Sequence, residues 1–153
     1  AGDDLLDPQD AKEAILEMVA WQNEHFGGHY DLTLAQVADL VAAFYPDLKA
    51  EIISPVSADQ IFEQLHRGRL IIVPAAGRAL GNPYFRSPGP IYHMLVITGV
   101  RGTKFTTNDP GTKRGKEYAY HQQVLLDAIH EWTGEAATIN AGRQAMLVVH
   151  KGE

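Results

Sequence analysis

His93 and Asp109 are the residues of this chain whose types and spacing could do hydrolytic chemistry. His93 opens a strand-like run, Tyr92-His93-Met94-Leu95-Val96-Ile97-Thr98. A second strand-like run, Lys104 to Thr107, leads straight into Asn108-Asp109-Pro110-Gly111-Thr112. An imidazole and a carboxylate at one end of a β-hairpin supply two of the three groups of a nucleophilic hydrolase. The third group is a nucleophile, and the 153 residues contain no cysteine.

The geometry follows from hairpin numbering. Facing residues of an antiparallel hairpin have numbers with a constant sum. A turn over Gly99-Val100-Arg101-Gly102-Thr103 centred on Arg101 makes that sum 202, which pairs His93 directly with Asp109. Their Cβ atoms would then lie about 5 Å apart on one face. A turn centred between Arg101 and Gly102 makes the sum 203 and sends Asp109 to the opposite face. Asn-Asp-Pro-Gly is also turn chemistry in its own right, so a structural histidine beside a turn aspartate is the competing reading.

Other candidates carry less. Ser54, Ser57 and Ser87 are the only serines. Ser57 is better placed as a helix N-cap, and Ser87 lies in a Pro/Gly-rich loop that would hold a nucleophile poorly. His25 and His29 have the i, i+4 spacing of metal ligands, but Gly27 and Gly28 between them argue against a helix, and no third ligand is evident. No metal site is expected. His66, His121, His130 and His150 read as surface or capping histidines. Gly111 to Lys116 lacks the spacing of a phosphate loop, and no Gly-x-Ser-x-Gly elbow occurs.

Bulk properties narrow the class. A chain of this length suits one domain, here 1–153, able to bury a full core without disulfide or metal staples. Hydrophobic residues make up 45% and charged residues 21%, as in ordinary globular proteins. A net charge of −6 argues against a nucleic-acid partner held by its phosphates. Lys113, Arg114 and Lys116 come nearest to a basic cluster, and they read as a solvated loop. No apolar run approaches the roughly 20 residues of a membrane span, and Ala1-Gly2-Asp3-Asp4 has no signal-peptide character.

The elements that must position the pair can be read from periodicity and caps. Asp7-Pro8 starts a helix that stops near Phe26-Gly27-Gly28. Thr33-Leu34-Ala35-Gln36 and Ser57-Ala58-Asp59-Gln60 are capping boxes for two further helices, ended by Pro46 and Gly68. Leu70-Ile71-Ile72-Val73-Pro74 is a short apolar run, the mark of a strand buried on both faces. A long loop, Ala76 to Pro90, then precedes the His93 hairpin and carries Arg78, Asn82, Tyr84, Phe85 and Arg86. Such loops are often functional, and Asn82, Tyr84 and Phe85 are its candidates for binding substrate. Gln122 to Trp132 reads as a fourth helix, with Val124, Leu125, Ala128, Ile129 and Trp132 inward. Ala145 to Val149 reads as a last strand. Helices first and strands after, without regular alternation, predict α+β with a small antiparallel sheet.

Several motifs occur together in order: Leu70-Ile71-Ile72-Val73-Pro74, Gly81-Asn82-Pro83-Tyr84-Phe85, Pro88-Gly89-Pro90, His93-Met94-Leu95-Val96-Ile97 and Thr107-Asn108-Asp109-Pro110-Gly111-Thr112. Met18 to Gly27, Tyr118-Ala119-Tyr120 and Ala128-Ile129-His130 extend the set. The whole resembles a bacterial family of papain-like cysteine peptidases, the branch similar to peptidases that remove double-glycine leaders from bacteriocins. The resemblance implies a papain-like fold and a peptide or protein substrate, with no cofactor. It assigns His93 as base and Asp109 as its orienting carboxylate. It also implies a cysteine on a helix before the position of Asp7, with an oxyanion-hole glutamine just upstream.

Neither residue stands in this sequence, so the expectation is a peptidase-type domain that is inactive as written and whose nucleophile lies upstream. The alternatives are a non-catalytic module that holds a peptide with the 76–90 loop and the His93 cleft, and an interaction domain. In the last case a partner or a second copy covers the surface that the missing helix would occupy.

Overall fold

The computed structural model of the chain describes residues 6–152. Two compact units make up the chain, 1–31 and 32–153.

The first unit holds helix α1, Pro8–Phe26. Asp7 caps it, its carboxylate accepting from the Gln9 amide at 2.8 Å, with Pro8 at the first helical position. Gly27 ends it in the left-handed region at φ 74°, where glycine has no Cβ to clash. His25 stacks on Trp21 with ring centroids 4.0 Å apart.

In the second unit both capping boxes form. Thr33 and Gln36 open α2 (Leu34–Phe44), and Ser57 and Gln60 open α3 (Ala58–His66). Between these helices lies a strand the sequence reading passed over, β1 (Leu48–Ile53). The remaining strands are β2 (Leu70–Ala76), β3 (Tyr92–Arg101), β4 (Lys104–Asn108), β5 (Tyr118–His121) and β6 (Met146–Lys151). They form one antiparallel sheet in the order β1-β6-β2-β3-β4-β5. The architecture is α+β, as expected.

Strand alternation divides the apolar residues between two faces. Ile71, Val73, Leu95, Ile97, Met146 and Val148 form one core with Ile61 of α3 and with Leu125 and Ala128 of α4 (Gln122–Ala128). Ile72, Met94, Leu147 and Val149 meet Leu34, Val37 and Val41 of α2 in a second core. The central strand β2 is therefore covered on both sides, as its unbroken apolar run requires. Each fully buried Leu or Ile contributes roughly 1.5–3 kcal/mol.

Helix α4 is shorter than its periodicity predicts. Beyond Leu70–Ile72, β6 no longer pairs with β2. Ile129 takes an extended conformation there, bridges to Ala75, and the next amide, His130, donates to the Pro74 carbonyl at 3.1 Å. The open edge of β2 thus recruits residues that would otherwise continue the helix. Val124, expected inward, is exposed. Glu131 is buried just beyond; it accepts from the Leu34 amide at 3.0 Å and takes a two-pronged bond from Arg143. Among the described residues no helix is long and apolar enough to cross a membrane.

Candidate active site

The β3–β4 hairpin sets the site. Its turn is the two-residue Gly102-Thr103, with Arg101 facing Lys104 and Gly102 at φ 59°. Facing numbers next to the turn sum to 205, neither the 202 nor the 203 expected. That register, carried through, would set Asp109 opposite Val96, on the face away from His93. A bulge at Thr98 intervenes. Gly99 faces Thr106 and Ile97 faces Thr107, so the sum becomes 204. Extended by one residue, this places Asp109 opposite Leu95, on His93's face, one diagonal step from it.

His93 Nε2 and Asp109 Oδ1 lie 2.6 Å apart. The Asp109 carboxylate has no solvent exposure, and the imidazole has little. Oδ1 also accepts from the Gly111 amide at 2.9 Å, and Oδ2 accepts from the Tyr120 hydroxyl at 2.6 Å. The Tyr120 oxygen in turn accepts from Asn82 Nδ2 at 2.9 Å. The result is a continuous chain His93–Asp109–Tyr120–Asn82, drawn from β3, the β4 end, β5 and the 76–90 loop.

Burial alone would push the Asp109 carboxyl upward, since desolvation penalises its charge. The bonds from His93, Tyr120 and Gly111 outweigh it, and the net shift is downward. Tyr120 moves the other way. Its burial and its bond to the carboxylate push it far above the ordinary phenol range. Tyr118 is also raised, by burial first and then by Tyr84 and Asp109. The site therefore holds an ionised carboxylate and a neutral phenol that donates to it. An ionised carboxylate only accepts, so Nε2 carries the ring hydrogen in neutral His93 and Nδ1 carries the lone pair. Among the described residues no hydrogen bond engages Nδ1. Such a ring can accept a proton at Nδ1, and the carboxylate beside it stabilises the resulting charge.

The 76–90 loop is compact. It contains a 3-10 turn, Gly77–Leu80. Asn82 is buried with both ends of its amide engaged, Nδ2 by Tyr120 and Oδ1 by the Tyr84 amide at 2.9 Å. Asn82 therefore ties the 76–90 loop to Tyr120 from within. Phe85 meets the His93 ring edge to face at 5.3 Å. It also lines a cleft of about 250 Å³ together with Arg78, Gly81, Asn82 and Ser87. Tyr84 is half exposed, edge-on to Tyr118, with the Arg114 guanidinium 4.8 Å above its ring. A second cleft of about 400 Å³ lies between Arg78, Ile91, Ile139 and Asn140.

Gly111 is shaped by the same geometry. A Cβ there would stand 2.8 Å from Phe85, 2.9 Å from His93 and 3.1 Å from the Asp109 carboxylate. Tyr120 and Gly111 escaped sequence reasoning as site residues. Their signal was faint: a Tyr-x-Tyr alternation, and a glycine that turn chemistry already explained.

Comparison with known proteins follows the fold. The chain superposes on the crystal structure of a Bacillus anthracis protein assigned as a C39-like peptidase. The TM-score is 0.56 at 12% identity, covering 82% of this chain and 63% of that one. The helices and six-stranded antiparallel sheet are therefore those of a distant C39 peptidase-like fold. No family model matches the chain, and no curated protein does.

Proposed function

We propose that this chain is the base-bearing part of a papain-like cysteine peptidase, with His93 as general base and acid and Asp109 as its positioning carboxylate. The observation that carries the reading is the bonded chain His93–Asp109–Tyr120–Asn82, which fixes the ring and leaves Nδ1 open. The 153 residues contain no cysteine; in this reading the thiol is supplied from outside them, and the chain alone lacks peptidase activity. In the complete site, Nδ1 takes the thiol proton and the thiolate attacks the peptide carbonyl carbon. The C–N bond breaks as that proton passes to the departing amine. Water, deprotonated by Nδ1, then cleaves the thioester; the acid leaves and the thiol is restored. Phe85, which packs against His93, and its neighbour Tyr84 are the side chains this reading assigns to peptide contact.

The test is peptide hydrolysis by the full gene product. Activity should be abolished by iodoacetamide and fall by about 10²–10⁴-fold in His93→Ala. Hydrolysis unchanged by His93→Ala would overturn the reading. A second reading, a peptide-holding module, is favoured by the cleft beside Phe85, which forms without any thiol. It predicts peptide binding by the full product with no hydrolysis.

A further inference from the structure

The charge on the loops around the site is at odds with the charge of the chain. Of 13 Lys and Arg residues, five lie in the segments 76–90 and 109–117: Arg78, Arg86, Lys113, Arg114 and Lys116. Those segments hold only two of the 19 acidic residues, Asp109 and Glu117. Asp109 is buried and already bonded, so Glu117 is their one exposed carboxylate; Glu135, at the start of the 3-10 turn beside the second cleft, borders them. All five cations are exposed, and among the described residues none lies within ion-pair distance of a carboxylate. By contrast, Arg67 and Arg143 are both paired with glutamates.

Two of the five are held in place beside Phe85. The Arg78 Nε donates to the Gly89 carbonyl at 3.3 Å, and this side chain lines both clefts. Arg114 lies over Tyr84, the residue before Phe85. A guanidinium resting on an aromatic face keeps its N–H groups free for an anion. The fixed bonds lower the ordering cost of binding, and the absence of partner carboxylates leaves no internal ion pair to break.

We propose that this cationic rim selects an acidic peptide for the cleft beside Phe85, with Arg78 and Arg114 contacting carboxylates on either side of the segment that faces Phe85. The location of the peptide rests on the hydrolase reading above; the charge preference does not. A nucleic acid is the less suited polyanion, because the rest of an acidic protein repels a long phosphate backbone while a short peptide meets only the rim.

The experiment uses the 153-residue chain and needs no thiol. Fluorescence anisotropy is measured with three peptides of one core sequence flanked by Glu, Gln or Lys, and with a short single-stranded oligonucleotide. The Glu-flanked peptide should bind at least about 10-fold more tightly than the Gln-flanked one. That advantage should vanish between ~0.01 M and ~1 M salt, where the screening length falls from about 30 Å to about 3 Å. It should also be lost in Arg78→Gln/Arg114→Gln and kept in Lys49→Gln/Lys151→Gln, whose lysines lie at the far end of the sheet. Equal binding of the three peptides, a preference for Lys, or tighter binding of the oligonucleotide would each overturn the proposal. An acidic preference together with hydrolysis that survives His93→Ala would leave the rim standing and remove the catalytic reading instead.

Discussion

His93 and Asp109 are bonded at 2.6 Å although they are not cross-strand partners. The bulge at Thr98 reconciles two registers, one imposed by the Gly102-Thr103 turn and one that sets Asp109 on the imidazole's face. Because Thr98 is the unpaired residue, removing it leaves Gly99 facing Thr106 and Ile97 facing Thr107 in an unbroken ladder. Deleting Thr98 should therefore preserve the His93–Asp109 bond, whereas a one-residue deletion in a regular strand flips every side chain beyond it. The check is the imidazole N–H resonance of His93, assigned by its loss in His93→Ala. Its disappearance on deletion of Thr98 would show that the bulge itself aims the side chains.

The same bulge marks the limit of what the sequence disclosed. The helix starts were legible because Asp7-Pro8, Thr33/Gln36 and Ser57/Gln60 act locally, through bonds to amides within three residues. The pair His93 and Asp109 was legible from residue type and strand ends. Its register was not, because a bulge is decided by twist and packing between strands. Strand β1 was missed although Leu48 to Ile52 alternates apolar and polar residues, because the run is short, follows Pro46 directly and forms an edge of the sheet. The tail of α4 was misread because the β2 edge recruits Ile129 and His130, a tertiary demand that no local periodicity carries. Tyr120 was invisible as a site residue, since its role depends on β5 lying beside β4.

Tyr120 links Asp109 to Asn82, and Tyr120→Phe removes both links at once. Oδ2 of a buried carboxylate and Nδ2 of a buried amide are then left without partners. The expected cost is about 1–3 kcal/mol in urea unfolding. Asn82→Ala should lose part of the same energy, because both variants break the bond between them. A double-mutant cycle should return a coupling of roughly 0.5–3 kcal/mol. Strictly additive losses would mean that Asn82 and Tyr120 act independently.

Gly111→Ala tests the space around the ring. The new methyl would press on Phe85, His93 and the Asp109 carboxylate together. Phe85 can yield at its outer edge, but the imidazole is tied to Asp109 and must turn. Overpacking of this kind costs about 1–3 kcal/mol. A displacement of the base near 1 Å costs hydrolysis about 100-fold. In the full gene product kcat should drop far more than KM changes. Unchanged kcat alongside lowered stability would assign Gly111 to packing alone.

Acid and alkali should act on the two sides of the Asp109–Tyr120 bond. Asp109 has its carboxyl lowered from 3.8 in the folded chain, so the unfolded chain binds the proton first as pH falls. Its stabilisation is fully present above 3.8 and is lost as pH drops through the lower folded value. Tyr120 is raised from 10.0, so its contribution is complete below pH 10 and declines above it, as the unfolded chain ionises and the folded chain does not. Unfolding free energies of the wild type and Asp109→Asn, measured from pH 7 down to pH 3, should differ most at pH 7 and converge toward pH 3. The gap between the wild type and Tyr120→Phe should begin to narrow above pH 10 and be visibly smaller at pH 11 than at pH 9. A gap that stays constant with pH in either series would mean that the carboxylate and phenol are not shifted by their bond.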